Sequence, residues 1–202
     1  MKRIGVALVL ALAVTGGAYG DALVLTQPVI NALTPIDSLP SSSQLNSVFN
    51  DSEAEALSNL STIALSQGTV DVGVQLRAIR ALTHYCQAPC GTHEVHTTLE
   101  TIATTPRYRD ARRGSDLLVL RAALESLGVL RIPDDIAILV PQLDHPSRDI
   151  RATAAHALRD LGNTQAIPAL RLRYQLEDPM RPGEQVRIAI SDALRVLGQP
   201  IQ

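Results

Sequence analysis

The sequence predicts an all-α fold, an α-solenoid of about four stacked helical hairpins. Three observations predict it. An Ala-Leu pair begins at residues 81, 123, 157 and 193, in steps of 42, 34 and 36. Each pair sits in an apolar stripe of helical period. Turn-forming residues separate the stripes: Gly68, Pro89 with Gly91, Pro106 with Gly114, Pro133, Pro146, and Pro179 with Gly183. A period in this range is the signature of stacked helical hairpins. One hairpin cannot bury its own apolar face, so the array holds only when stacked.

Taken in order, residues 1–20 read as a secretory signal. Lys2 and Arg3 supply the positive end, Ile4 to Val14 an apolar run, and Gly16 with Gly17 its break. Ala18-Tyr19-Gly20 places small residues where a cut after Gly20 needs them, with a cut after Ala22 as the alternative. The run is shorter than the ~20 residues of a membrane span, so no span is expected after cleavage. Cleavage removes Lys2, the single lysine, and Arg3, and the formal charge moves from −2 to −4. Every remaining cation is then Arg, which forms planar bidentate pairs that Lys cannot. The expected address is outside the cytoplasm, in the periplasm or the medium.

Residues 21–51 carry Pro28, Pro35, Pro40 and the run Ser41-Ser42-Ser43, without a sustained helical period. They read as a Pro/Ser-rich spacer leading to the domain, with one short ordered stretch against the first helix, leaving 52–202 as the repeat domain.

Within 52–202 each repeat pairs a shorter first helix with a longer second one. Leu57, Leu60 and Ala64 mark the first helix of the first pair, and Val74, Ala78, Ala81, Leu82 and Tyr85 its second. Val95, Leu99 and Ile102 precede Leu120, Ala123, Leu124 and Leu127, with Gly128 after them. Ile136, Leu139, Val140 and Leu143 form the third first helix, which Pro141 should kink. Its partner carries Ile150, Ala154, Ala157, Leu158 and Leu161, with Ser147 and Asp149 as candidate caps and Gly162 behind. Ile167, Leu170 and Tyr174 precede Val186, Ile190, Ala193, Leu194 and Leu197, followed by Gly198. Small Ala at the contact lets helices approach closely, while Leu fills the groove.

The last two repeats carry a pattern beyond periodicity. Asp144-His145-Pro146-Ser147-Arg148-Asp149-Ile150-Arg151 leads into Ala154, Ala157-Leu158 and Leu161-Gly162, then Ala166-Ile167-Pro168-Ala169-Leu170. Asp178-Pro179 leads in the same way to Val186-Arg187, Ala193-Leu194 and Leu197-Gly198. This resembles the HEAT repeat, in the short form also found in phycobilisome lyases. The match is strong over 134–198 and fair over 52–128, where Gln75 and Leu117 replace the Arg after the turn. The resemblance implies an armadillo/HEAT-type superhelix whose second helices line a concave face for protein binding.

Composition narrows the function. A net charge of −2 offers no electrostatic case for nucleic acid. One Phe, four Tyr and no Trp leave few stacking surfaces or aromatic anchors. No G-x-S-x-G, P-loop or H-E-x-x-H motif occurs, so neither an enzyme nor a cofactor is expected.

The densest polar cluster is 84–96, with Cys86, Cys90, His93 and His96. In an exported protein two cysteines most simply pair, and a Cys86–Cys90 bridge is the first reading. A metal site on Cys86, Cys90, His93 and His96 is an alternative, since two thiolates and two imidazoles suit zinc or copper. It carries a second function reading, a metal- or ligand-binding envelope protein. A redox pair is a third reading, with a spacing one residue longer than C-x-x-C. Deoxyhypusine hydroxylase, a HEAT-like enzyme, binds iron through several His-Glu pairs. The single pair here, His93-Glu94, fails that comparison on count.

Aligning the repeats on the Ala-Leu pair places Arg80, Ala122, His156 and Asp192 on one ridge and Thr83, Glu125, Arg159 and Arg195 on the next. Arg121 stands beside Ala122. Two readings of these ridges stay open: an Arg-rich groove for a peptide or acidic protein segment, and salt bridges between neighbouring helices. The run Arg107 to Arg113 reads as a solvated loop face or a docking patch. The expected function is a non-enzymatic protein-interaction scaffold of the cell envelope, with its partner on the concave face.

Overall fold

The computed structural model describes residues 25–34, 39–67, 70–86, 93–180 and 183–199. The signal reading of 1–20 lies outside these residues. Helices account for the ordered structure, and no strand occurs among the described residues.

Helices α1 (Gln27–Leu33) and α2 (Ser42–Val48) come first. Four hairpins follow. The first pairs α3 (Glu53–Ala64) with α4 (Val72–Ala81), which runs on into a 3-10 turn at Leu82–Tyr85. The second pairs α5 (His93–Thr104) with α7 (Ser115–Leu130), across a one-turn helix α6 (Pro106–Arg109). The third pairs α8 (Ile136–Leu139), continued as a 3-10 turn over Val140–Asp144, with α9 (Arg148–Leu161). The fourth pairs α10 (Ile167–Leu176) with α11 (Glu184–Val196). The second helices pack in sequence, α4 on α7, α7 on α9 and α9 on α11, and the first helices form the other layer. The result is the α-solenoid that the repeat predicts.

The core is one continuous cluster drawn from both layers. Ala78, Ala81, Ala123, Ala154, Ala157 and Ala193 are all buried at helix contacts, with Leu82, Leu124, Leu158 and Leu194 fully buried beside them. Each such Leu contributes about 1.5–3 kcal/mol by leaving water.

Four details depart from the sequence reading. The stretch 21–51 is more than a spacer. Val29, Leu33 and Leu45 are buried, α1 packs on α4 and α2 on α3, so the packed unit begins before residue 52. Each helix has only seven residues, too few to show a helical period. A capping box from Ser41 and Gln44 starts α2, which accounts for part of the serine run.

Gly128 does not end its helix. It lies within α7, which stops at Arg131 in the left-handed conformation. Gly162 does terminate α9 with a φ of 75°. Pro141 breaks the third first helix outright, turning it from α to 3-10 geometry. Finally, the 107–113 run opens with the helical turn α6 rather than a free loop, and Tyr108 anchors it in the core.

Candidate interaction surface

The site is built on the turns between the paired helices. A first helix ends on backbone carbonyls that need donors, and one side chain early in the second helix supplies them. In the first hairpin Gln75 Nε2 donates to the Ala64 carbonyl over 2.8 Å. In the third, Arg151 donates to the carbonyls of His145 and Pro146 at 3.0 and 3.1 Å. In the fourth, Arg187 donates to the Tyr174 carbonyl at 3.0 Å and lies 3.9 Å over the Tyr174 ring. The Arg after the turn is thus a structural device, and Gln75 performs its task where Arg is missing.

Arg151 also reaches the next repeat. It grips the Glu177 carboxylate with two nitrogens, and Arg173 joins from one helical turn away at 2.7 Å. Burial works against the charge on Glu177, but the guanidinium groups of Arg151 and Arg173 outweigh it and hold the carboxyl below its usual range. Glu177 is 5% exposed. Sequence reasoning missed it, because nothing in its local pattern marks it as the partner of an Arg 26 positions earlier.

The outer ridges of the second helices come together as an ion-pair ladder. Arg80 on α4 donates to Glu125 on α7 at 3.0 Å, and Arg121 reaches the same carboxylate at 2.8 Å. Arg159 on α9 holds Asp160 at 2.8 Å and Asp192 on α11 at 2.7 Å, and Arg195 completes the group at 2.6 Å from Asp192. Hydrogen bonds from Arg159 and Arg195 hold the Asp192 carboxyl below its usual pKa. His156 lies beside Arg159, 3.4 Å between ring Nδ1 and guanidinium nitrogen. Desolvation by neighbouring helices, then the Arg159 charge, keep its pKa below the ordinary imidazole value. The seven ionisable residues of these ridges, Arg121 included, therefore lie on packed, successive second helices, and the inter-helix salt bridges are present.

Beside the α4–α7 end of the ladder is a cavity of about 220 Å³. Leu39, Thr83, Ser126 and Val129 line it together with Arg80 and Glu125. Leu118 on α7 and Ile188 on α11 are exposed apolar side chains.

The 84–96 cluster separates. Cys86 is partly buried against the core, His93 is exposed at the start of α5, and Cys90 lies outside the described residues. His96 Nε2 sits 2.7 Å from Asp135 Oδ1, tying α5 to the turn that opens the third hairpin. Asp135 is 1% exposed, and burial raises its pKa although the His96 bond opposes the shift. Among the described residues no group of three His, Cys, Asp or Glu side chains is placed to hold a metal. Arg107 and Arg109 of the basic run are each engaged, Arg107 with Asp116 and the Gln67 carbonyl, Arg109 with Asp110. No helix among the described residues is long and apolar enough to cross a membrane.

The family model for HEAT repeats matches residues 111–195. This segment is therefore similar to a run of HEAT repeats. It holds α7 through nearly all of α11, including the Arg151–Glu177 link and most of the ladder. The first hairpin is also a pair of packed helices and lies upstream of the match. No curated protein matches the chain. Among solved structures, the crystal structure of an engineered protein is similar, with a TM-score of 0.43 and 17% identity over 84% of this chain and 77% of that one.

Proposed function

We propose that this protein is a non-enzymatic scaffold of the cell envelope, and that it binds a protein or peptide partner along the concave face formed by its second helices. The observation that carries the reading is the ladder itself. Its charged side chains stand in one row across four helices, and Arg121 and Arg195 are more than half exposed. HEAT arrays present extended surfaces rather than clefts. The in-chain carboxylates satisfy each guanidinium in the absence of a partner, while five donors per Arg leave capacity for an incoming carboxylate or backbone carbonyl. The cavity at Leu39 and Val129 supplies an apolar contact beside the polar row.

The test pairs Arg121→Ala with Arg195→Ala and leaves Arg159 in place, because Arg159 ties α9 to α11. A partner captured from an envelope fraction by the parent should be lost or weakened with the double variant, at unchanged helicity. Equal capture by parent and variant, at low and high salt alike, overturns the concave-face reading.

Export is part of the proposal, and the Cys86–Cys90 bridge goes with it. A bridge over so short a loop contributes about 2 kcal/mol. Protein recovered from the periplasm or medium should lack residues 1–20 and show the peptide spanning 86 and 90 two hydrogens lighter than its reduced form. Ready alkylation of both thiols without reductant overturns the bridge.

A further inference from the structure

Each helix inside the array has neighbours on both sides. In α9 one stripe, Ala152 and Ala155 with Arg159 after them, faces α11. Those alanines are 4% and 0% exposed, and Arg159 pairs with Asp192 across the contact. Aligned on the Ala-Leu pair, the same positions in α11 are Ile188, Ser191 and Arg195. Among the described residues Ile188 and Arg195 are exposed, Ile188 at 63%, and Ser191 is half-buried. The fourth hairpin bears more apolar surface on α10 and the following turn, where Leu172, Leu176 and Met180 are 60%, 62% and 75% exposed. The opposite end of the array differs. There α1 and α2 lie on the first hairpin and bury Val29, Leu33 and Leu45.

The uncovered stripe has a further property. Glu184, Ile188, Ser191 and Arg195 share one side of α11, and their spacing of four, three and four reads the same in both directions. Two α11 helices placed antiparallel about a two-fold axis, level with the Ala189–Ile190 bond, set Glu184 of one copy against Arg195 of the other. The same register sets each Ile188 against the small Ser191 opposite. Opposite charges therefore meet at both ends, and apolar bulk meets a small side chain at the centre. Parallel stacking would instead put Glu184 beside Glu184 and Arg195 beside Arg195.

We infer that this protein forms a two-fold dimer through its C-terminal hairpin, with α11 packed antiparallel on α11 of a second copy. Such an interface is isologous and closes on itself. A head-to-tail chain is disfavoured because α1 and α2 occupy the other end. The second copy covers on α11 the stripe whose counterpart on α9 is buried under α11. The inference shares Arg195 with the partner-binding proposal, but Ile188 and Glu184 belong to the dimer contact alone, and its test reads the assembly of the protein by itself.

Sedimentation equilibrium of the purified protein tests it, with circular dichroism to verify helicity. The parent should show a concentration-dependent monomer–dimer equilibrium. Ile188→Arg should sediment as a monomer, since it places a charge at the centre of the contact. Glu184→Arg should weaken dimerisation roughly tenfold, and Glu184→Arg combined with Arg195→Glu should restore it by reversing both ends. A parent that stays monomeric at its highest soluble concentration overturns the inference. So does a dimer indifferent to Ile188→Arg, and so does a charge reversal that is not rescued by its complement.

Discussion

Gly128 of α7 lies so close to Ala157 of α9 that a Cβ at position 128 would sit 2.7 Å from the Ala157 Cα. The two helices touch backbone to backbone at this point. Ala157 is the Ala of the third Ala-Leu pair, so the repeat and the close approach are two views of one contact.

Gly128→Ala should therefore destabilise the protein despite the better helix propensity of Ala. Propensity favours Ala by about 1 kcal/mol, while forcing atoms into a packed contact costs about 1–3 kcal/mol. The atoms in the way belong largely to the Ala157 backbone and cannot swing aside. Gly128→Val should cost more than Gly128→Ala. Chemical denaturation of both variants checks the order, and a Gly128→Ala protein more stable than the parent would refute the close packing.

Glu177 joins the third and fourth hairpins through Arg151 and Arg173, and removing it strands two guanidinium groups near the core. Glu177→Ala should cost about 3 kcal/mol, the scale for breaking one partner out of a buried pair. The carboxyl is held below its usual pKa in the folded state. Its stabilising contribution is thus complete above the ordinary Glu pKa of about 4.3, and is lost as pH falls through the lower, folded-state value. The stability gap between parent and Glu177→Ala should narrow over that window in urea titrations run at stepped pH.

Asp135 presents the opposite sign. Burial raises its pKa, and its second oxygen has no hydrogen-bond partner. A buried carboxylate of this kind opposes folding above its folded-state pKa, and the penalty vanishes below the ordinary Asp value of about 3.9. Asp135→Asn keeps an oxygen acceptor for His96 and removes the charge. It should raise the melting temperature at neutral pH, and the gain should shrink to nothing as pH falls through the Asp range. A loss of stability at neutral pH would mean that the His96–Asp135 contact outweighs the burial cost.

The helices of the repeat are legible because the signal is local. Ile150, Ala154, Ala157, Leu158 and Leu161 fall on one face at helical spacing, and any chain with that pattern must bury the face against another. Recurrence of the pattern then implies stacking, since each hairpin needs a neighbour. The ridge residues Arg80, Arg121, Glu125, His156, Arg159, Asp192 and Arg195 could be placed on one side of successive helices for the same reason.

What the sequence determined by itself is the paired main helices of the four hairpins, their order and their apolar faces, because these depend on residues within one or two helical turns of each other. Tertiary structure alone decided the pairings across the stack. His96 meets Asp135 across 39 positions, Arg80 meets Glu125 across 45, and Arg151 meets Glu177 across 26. No local spacing selects these partners; the rotation and offset of one hairpin on the next do. The same holds for Gly128, whose lack of a side chain matters only because Ala157 arrives beside it, and for α1 and α2, whose few apolar residues acquire a role only against the hairpin that they cover.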